Sequence, residues 1–309
     1  MCHKSTLGQN FLNLKNHRFI SALVLLLLAL TWGSSFILMK RGLKDEQGAP
    51  VLHPTQVAAL RLSIAGLVLL PVSIRAFRKV RPEDWKWIAV VGLVGSGIPA
   101  ILFTISQQFL DSHVAGILNS LTPLFTLLVG ATILKRQVIA TQFMGVMIGL
   151  GGAICLIALN GSGNTTNWWF SLLVVLATLC YGLSVNVISA RLTHLHPLHI
   201  TSLSLLIAGI PWATYLCTTD IISVSTDNPH GFASIGYVAI LAIFGTCMAN
   251  ILYFWLTQKS GPMFASSVTY LMPLVAIGWG ISDEEPFTVM HLLCCLIMLA
   301  GVWLVTRKK

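Results

Sequence analysis

Charged residues are scarce in this sequence. Lys, Arg, Asp and Glu make up 9% of its 309 residues, hydrophobic residues make up 55%, and the mean hydropathy is +0.81. A soluble domain has about a quarter charged residues, so this chain has too few polar side chains to cover a water-facing surface of its size. The composition excludes a soluble domain and indicates a membrane protein, in which each polar residue within an apolar run needs its own explanation.

Acidic residues are absent from the interior of the apolar runs. The 10 Asp and Glu residues stand at the ends of runs or in loops. Proton-driven carriers usually need a titratable group within the membrane, so a carboxylate relay is not expected. If the chain is a carrier, facilitated transport or exchange is the simpler expectation, and proton coupling through His113 or His291 is the alternative.

Catalytic and metal-binding signatures are also missing. The sequence has no HExxH, no GxSxG and no CxxC pair among its 7 Cys, and an integral-membrane enzyme needs such a constellation at membrane depth. The missing motifs argue against an enzyme acting on a lipid-like substrate, which stays an alternative hypothesis. A sensor or scaffold without transport is another alternative. No cofactor is expected. The segment "HLHPLH" could hold a metal through His194, His196 and His199, but its His-Pro pair recurs at His53, which favours helix-start chemistry over a metal site.

The formal net charge of +9 is compatible with nucleic-acid binding, but the cations do not form the contiguous patch that such a protein needs. They lie at the ends of apolar runs and in short loops, where they act as orientation signals. With a cytoplasmic N-terminus, only Lys40, Arg41 and Lys44 lie outside, Arg61 lies within a run, and all other Lys and Arg lie inside. This bias predicts a multi-pass protein of the plasma (cell inner) membrane, surrounded by lipid, with both termini cytoplasmic and no nucleic-acid partner. Whether it is a monomer or a homodimer stays open.

Ten apolar runs are long enough to span a membrane as helices, which takes about 20 residues each. The runs are continuous rather than alternating, which favours helices over a β-barrel. The fold class predicted is an all-α integral membrane protein of ten transmembrane helices. The ten runs are 19–41, 54–77, 85–109, 112–134, 138–160, 167–190, 198–217, 232–257, 262–282 and 287–306.

An internal repeat relates the two halves of the chain. At an offset of 150, "ILFTISQQ" (Ile101–Gln108) falls on "ILYFWLTQ" (Ile251–Gln258), and Pro123 falls on Pro273. Similar matches occur at an offset of 143 for the second run and 149 for the first, in the same order along the chain. Each half has five spans, an odd number, so the second half enters from the opposite side of the membrane, as in many secondary transporters.

The repeat sets the predicted organisation of the chain. We expect two inverted five-helix repeats, with a binding site near the bilayer midplane between them. The predicted units are a cytoplasmic N-terminal tail at 1–18, a first five-helix repeat at 19–160, a second, inverted five-helix repeat at 161–306 and a basic C-terminal tail at 307–309.

Four segments resemble the EamA-type members of the drug/metabolite transporter superfamily. They are "LTWGSSFILMKRGL" (Leu30–Leu43), "AALRLSIAG" (Ala58–Gly66), "SHVAGILNSLTPLFTLLVG" (Ser112–Gly130) and the Glu-Pro start of the last helix within Glu284–Leu304. The resemblance covers about residues 19 to 306. It implies a ten-helix inverted repeat that moves small metabolites, often amino acids or related compounds and commonly outward. This chain departs from the resemblance at one position. The family tends to have a Glu after the fourth helix, as Glu285 follows the ninth helix here, but the repeat partner of Glu285 is Lys135. A role of the family's first-half Glu therefore does not carry over to this chain.

Arg61 is the most informative polar residue, because an Arg within a span costs several kcal/mol unless it faces a cavity or a partner. Its repeat partner is Ser204, so the charge is asymmetric. Arg61 either anchors an anionic group of the substrate, such as a carboxylate, or stabilises the bundle by capping backbone carbonyls. Lys40 and Arg41 end the first span, where snorkelling to the interface is the alternative to a cavity role for Lys40.

The remaining site prediction starts from two prolines inside apolar runs. Pro123 and Pro273 are repeat partners, and each removes a backbone hydrogen bond that must be replaced. Polar residues precede both, so we predict that the two helix breaks face a shared substrate path. In this hypothesis the cations bind the anion, the polar side chains bind by hydrogen bonds, and Trp32 forms an apolar wall. The predicted substrate-binding set is Arg61, Lys40, Trp32, Ser35, Gln107, Asn119, Thr122, Thr269 and Tyr270.

Overall fold

The computed structural model describes residues 4–133, 135, 137–161 and 167–306, and side chains from residue 19 onward except at 160, 161 and 167. The predicted C-terminal tail at 307–309 lies outside this range. The described chain contains ten membrane segments at the predicted positions. They are α1 (Phe19–Leu43), α2 (Pro54–Val68 with Leu70–Phe77), α3 (Pro82–Ser106), α4 (Ser112–Ile133), α5 (Ala140–Leu159), α6 (Trp168–Arg191), α7 (Pro197–Leu216), α8 (Gly231–Ser260), α9 (Pro262–Ser282) and α10 (Val289–Thr306). Helix α1 is the apolar part of a longer helix, Lys4–Leu43.

Helix α2 is one span bent by 60° at Leu69. Pro71 stands in the first turn after the bend, and a proline cannot donate the backbone hydrogen bond of a continuing helix. A short helix that the apolar pattern did not predict lies between α7 and α8, at Ile221–Asp227.

Both His-Pro pairs start a helix. His53 precedes α2 and His196 precedes α7, and each imidazole accepts a hydrogen bond from the backbone N–H two residues on. The proline after each histidine lies in the first turn, where its missing N–H costs nothing. The side chain of Gln56 also accepts from the backbone N–H of His53, which completes a capping box. These histidines therefore define two equivalent helix starts.

The packing of the helices has two-fold symmetry. Helix α2 packs on its repeat partner α7, and α5 packs on its partner α10. The contact of α1 with α9 recurs as the contact of α6 with α4. At the crossing of α2 and α7, a Cβ on Gly66 would lie 3.3 Å from the carbonyl of Leu205, and a Cβ on Gly209 would lie 2.7 Å from the carbonyl of Leu62. The predicted fold class, ten helices in two inverted five-helix repeats, is confirmed.

Two π-helical segments occupy equivalent positions in the two halves. They are Leu93–Gly97 in α3 and Leu241–Met248 in α8, about one repeat length apart. A π segment widens the helix by one residue and is frequently found at functional sites. Helices α4 and α9 are also interrupted, after Asn119 and after Tyr270, immediately before Pro123 and Pro273. These four helices thus depart from regular geometry at equivalent positions of the two halves.

Candidate functional site

A central cavity lies between the two halves, lined by residues of α1, α2, α3, α4, α6, α8 and α9. The centre of a water molecule can occupy ≈ 80 Å³ of it, which is room for several waters. Most of the lining consists of residues paired by the repeat at offsets of 149 or 150. These pairs are Trp32/Tyr181, Ser35/Ser184, Phe36/Val185, Ser96/Thr246, Phe103/Tyr253, Asn119/Thr269 and Thr122/Met272.

Six of the nine predicted substrate-binding residues line the central cavity. Three of the cavity residues from α1, Trp32, Ser35 and Phe36, lie with Met39 on one helical face because residues three and four apart are neighbours on a helix. The six predicted residues that line the cavity are Trp32, Ser35, Arg61, Asn119, Thr122 and Thr269.

Arg61 supplies the only formal charge among the lining residues. Its Nε donates a hydrogen bond to Thr246 Oγ1 at 2.8 Å, and Thr246 belongs to the π segment of α8. Arg61 forms no ion pair within the described part of the chain, and no Asp or Glu lines the cavity. A cation held at membrane depth without a counter-ion pays a desolvation cost, and an anionic ligand would offset it.

Two aromatic pairs related by the two-fold axis line the cavity. Trp32 of α1 and Tyr253 of α8 have ring centroids 4.9 Å apart, and their repeat partners Tyr181 of α6 and Phe103 of α3 are 6.1 Å apart. Each pair joins one half of the chain to the other. The indole N–H of Trp32 donates to the carbonyl of Gly245 at 2.8 Å, so the ring is fixed in place by the π segment of α8.

Two buried polar atoms of the lining have no hydrogen-bond partner among the described residues. They are Asn119 Oδ1 and Ser96 Oγ, and the two residues are 3% and 8% exposed to solvent. The Asn119 amide nitrogen lies 3.6 Å from the sulfur of Met272, a weak contact. An unpaired buried acceptor is costly, and a ligand with a donor group would satisfy it.

Three predicted residues lie outside the central cavity, and in each case another contact holds the polar group. The Lys40 ammonium lies 2.6 Å from Asp283 Oδ2 and 2.9 Å from Glu285 Oε1. Gln107 donates to the carbonyl of Phe36 at 3.2 Å. The Tyr270 hydroxyl lies 2.8 Å from Thr306 Oγ1 and also bonds the carbonyl of Val302, because the 3₁₀ turn before Pro273 directs this ring toward α10 rather than toward the opposite half.

Lys40 belongs instead to a charge cluster at the end of the bundle where α1 ends. The cluster consists of Lys40, Arg41, His113, Asp283 and Glu285. His113 Nδ1 lies 2.9 Å from Glu285 Oε2, and the Arg41 guanidinium pairs with Asp283. Lys40 lies one helical turn beyond Phe36, so the cluster lies above the cavity. It joins α1 and α4 of the first half to the α9–α10 loop of the second.

The charge cluster holds Glu285 in its ionised form. Burial alone would raise the pKa of this carboxyl, but hydrogen bonds from His113, Lys40 and the backbone N–H of Ser112 lower the pKa from its ordinary value of 4.5 to about 2. The neighbouring Asp111 has its pKa raised by burial and by the negative charge of Glu285. At neutral pH Glu285 is therefore a fixed negative charge between the halves.

Among the described residues, the charge cluster has no counterpart at the other end of the bundle. The repeat partners of Lys40, His113 and Glu285 are Ser189, Met263 and Lys135, which cannot form the same ion pairs. Asp84 and His194 do join the two halves at that opposite end, with 2.9 Å between Oδ2 and Nε2. The two ends of the molecule are thus closed by different chemistry, although the cavity between them is nearly symmetric.

Several cavity residues were not in the predicted set, and the repeat could have found them. Tyr181 and Ser184 are the partners of Trp32 and Ser35, which were predicted. Adding the repeat partner of each predicted residue to the set would have identified both from the sequence alone. Thr246 and its repeat partner Ser96 also line the cavity, and neither was predicted. No group of three or more His, Cys, Asp or Glu that could hold a metal ion occurs within the described residues.

Comparison with known proteins places these features in context. The model of the EamA-like transporter family matches residues 19–158 and again 168–307. The chain is 24% identical over 288 residues to an uncharacterized transporter of Archaeoglobus fulgidus, covering 93% of this chain and 99% of that one. It is 26% identical over 287 residues to the uncharacterized inner membrane transporter YedA of Escherichia coli strain K12, covering 91% and 89%.

A solved crystal structure shares the fold. It superposes with a TM-score of 0.61 at 13% sequence identity, covering 92% of this chain and 95% of that one. At this identity the likeness establishes the fold alone.

Proposed function

Because the chain belongs to the EamA-like transporter family, we propose that it is a secondary transporter that moves a small polar or amphipathic metabolite by alternating access. The proposal is of a carrier rather than an enzyme, working as an exporter or exchanger. An amino acid or a related anion is the proposed class of solute. The proposed location is the cell inner membrane, with both termini cytoplasmic, which places the charge cluster at the outer face.

The central cavity is the observation that supports this function. It lies between the halves, and residues related by the inverted repeat line it. An inverted repeat gives the two halves two equivalent arrangements, in which the same cavity opens first to one side and then to the other. We propose that the two five-helix units are residues 19–160 and 161–306, and that Arg61, Trp32, Ser35, Asn119, Thr122 and Thr269 contact the solute.

The charge cluster fits the role of an outer closure. Its ion pairs connect α1 and α4 to the α9–α10 loop, so they must break when the halves separate at that end. Lys40 in this proposal controls access and does not bind the solute, and Gln107 and Tyr270 support the helices around the cavity. Since Glu285 is outside the spans and stays ionised, the proposal does not include a proton relay, and facilitated exchange is the proposed mode.

The test is solute counterflow in proteoliposomes containing the purified protein. Candidate metabolites are first ranked by how far each raises the thermal midpoint of the protein. The best are then tested for exchange, with and without an imposed pH gradient. We expect exchange that saturates and does not need the gradient. A folded protein that exchanges none of the stabilising solutes would contradict transport, and dependence on the gradient would contradict the facilitated mode.

A matched pair of variants in α4 localises the solute path. Thr122 lines the cavity, and Thr132 is exposed in the last turn of the same helix. We expect Thr122→Val to slow exchange and Thr132→Val to leave it unchanged, with thermal midpoints showing that both are folded. Equal rates in the two variants would place the path elsewhere.

A further inference from the structure

The charge of the central cavity selects for an anion. Arg61 is the only formally charged residue among the described residues of the lining. Its Nε donates a hydrogen bond to Thr246 Oγ1. A guanidinium presents several donors in a planar fork that matches a carboxylate. In a low-dielectric site the attraction between one such cation and one carboxylate is much stronger than in water. A solute with a single carboxylate would balance the charge, and a dianion would leave one charge without a partner.

The walls of the cavity select for a planar apolar body. Six aromatic residues contribute to them, in contacts that run along both sides: Phe36 with Phe103 at 5.9 Å and Phe103 with Tyr181 at 6.1 Å, then Trp32 with Tyr253 at 4.9 Å and Tyr253 with Phe254 at 6.3 Å. Stacked or edge-to-face ring contacts stabilise a bound ring beyond the burial of its area. A ring therefore gains more here than an aliphatic group of the same size.

The charge of the cavity disfavours an ammonium group. No carboxylate is among the described residues of its lining, and the charge of Arg61 repels a second cation. Removing an ammonium from water costs several kcal/mol unless it is well paired. The unpaired oxygen of Asn119 offers one acceptor, which suits a neutral donor such as a hydroxyl or a ring N–H better than a cation with three protons to satisfy.

From these three observations we infer that the central cavity takes an aromatic monocarboxylate that has no ammonium group, with the carboxylate on Arg61 and the ring between the two aromatic pairs. The inference rests on the proposed function and specifies the substrate class of the same cavity. It distinguishes an aromatic acid from the corresponding aromatic amino acid, which differs only by the α-ammonium.

A set of closely matched probes tests each part. The reference probe is 3-phenylpropanoate. L-Phenylalanine adds the ammonium, phenethylamine keeps the ammonium but lacks the carboxylate, 3-phenylpropan-1-ol replaces the carboxylate by a neutral hydroxyl, and 3-cyclohexylpropanoate replaces the aromatic ring. Binding to the unmodified, purified protein is measured by the quenching of its Trp fluorescence and by its thermal midpoint. We expect the reference probe to bind at least about tenfold more tightly than each of the first three. L-Phenylalanine must bring an ammonium out of water, and the other two lack the charge-assisted contact with Arg61. The cyclohexyl acid should be several-fold weaker.

A matched pair of variants in α2 assigns the anion to its residue. Arg61 lines the cavity, and Arg75 is exposed on the same broken span. Arg61→Gln should weaken 3-phenylpropanoate about tenfold or more and leave 3-phenylpropan-1-ol unchanged, whereas Arg75→Gln should change neither. Equal binding of the acid by Arg61→Gln and the unmodified protein would overturn the assignment. The probe ranking on the unmodified protein keeps the test decisive even if Arg61→Gln fails to fold.

The outcomes separate this inference from the proposed function. L-Phenylalanine or phenethylamine binding as tightly as 3-phenylpropanoate would overturn the inference, as would exchange of other solutes by a protein that binds no aromatic acid; transport itself would stand in that case. If 3-phenylpropanoate binds with the expected ranking but is not exchanged in counterflow, the substrate class is supported and the transport function fails.

Discussion

Lys40 Nζ lies 2.9 Å from Glu285 Oε1, across 245 positions of the sequence and between the two halves of the bundle. Asp283, two residues before Glu285, also pairs with Lys40, at 2.6 Å. The side chain of Glu285 is 1% exposed, and that of Lys40 is 24% exposed. The pair is therefore mostly shielded from water, and breaking it by removing one partner is expected to cost much more than breaking a surface ion pair.

Removing the charge of Glu285 should weaken the closure between the halves. Glu285→Gln keeps the size of the side chain but leaves Lys40 with Asp283 as its one carboxylate partner. We expect the free energy of unfolding to fall by about 2 kcal/mol, less than if Lys40 lost both partners. The thermal midpoint of the purified protein measures the loss. Glu284→Gln is the matched control, because Glu284 is exposed, precedes Glu285 in the chain and forms no ion pair with any described residue. A midpoint lowered equally by both changes would contradict the role of the cluster.

The stabilising effect of Glu285 should disappear at acid pH. Its pKa is lowered to about 2 from 4.5, so its contribution is fully present above pH 4.5 and is lost as the pH falls from there toward 2. The difference in thermal midpoint between the unmodified protein and Glu285→Gln should be constant from about pH 8 to 5 and shrink below 4.5. The charge of Glu285 also raises the pKa of the neighbouring Asp111, so both proteins carry Asp111→Asn in this comparison. A difference that already changes between pH 6 and 8 would contradict the assignment to Glu285.

The close approach of α3 and α6 at the cavity gives a third prediction. A Cβ on Gly95 would lie 2.7 Å from the Cβ of Ser184 and closer still to its hydroxyl. Gly95→Ala should push the two helices apart, at a cost of about 1–3 kcal/mol, and slow solute exchange. Gly278→Ala is the control, since a Cβ there meets nothing within 4 Å among the described residues. Adding Ser184→Gly to Gly95→Ala should restore stability; no restoration would show that another contact is responsible.

The spans were predictable because a membrane requires long apolar runs, and the sequence contains ten of them. Arg61 was predictable as a cavity residue for the same reason, since a charge at that depth is too costly to face lipid. The repeat predicted the symmetric fold, because duplicated halves with five spans each must be inverted relative to one another. These inferences use properties that depend on one residue or one segment at a time.

The remaining features depend on contacts between distant residues. Lys40 looked like a cavity cation because its two carboxylate partners are more than 240 residues away, and spacing along the chain does not reveal that pairing. Tyr270 was misplaced because the 3₁₀ turn at Ser267–Tyr270 changes the direction of the ring. The π segments of α3 and α8 have no sequence signature, so the residues they turn toward the cavity, Ser96 and Thr246, were missed.

Thr246 should position the guanidinium of Arg61. Its Oγ1 accepts from Arg61 Nε at 2.8 Å, and the residue is 2% exposed, so water cannot easily replace the lost acceptor. Thr246→Val keeps the shape and removes the acceptor. Hydrogen bonds to charged groups contribute about 1.5–3 kcal/mol, so we expect the KM for an anionic solute to rise by about tenfold or more, with a smaller effect on the maximal exchange rate.

Thr257→Val provides the matched control for this prediction. Thr257 lies in the same helix, α8, and is 1% exposed, but its hydroxyl has no hydrogen-bond partner among the described residues. Replacing it by Val removes an unsatisfied polar group, so stability should stay the same or rise slightly, and KM should not change. If both variants raise KM equally, the effect comes from general repacking of α8 and not from Arg61. If only Thr246→Val raises it, and neutral analogues are unaffected, the hydroxyl acts through the charge of Arg61.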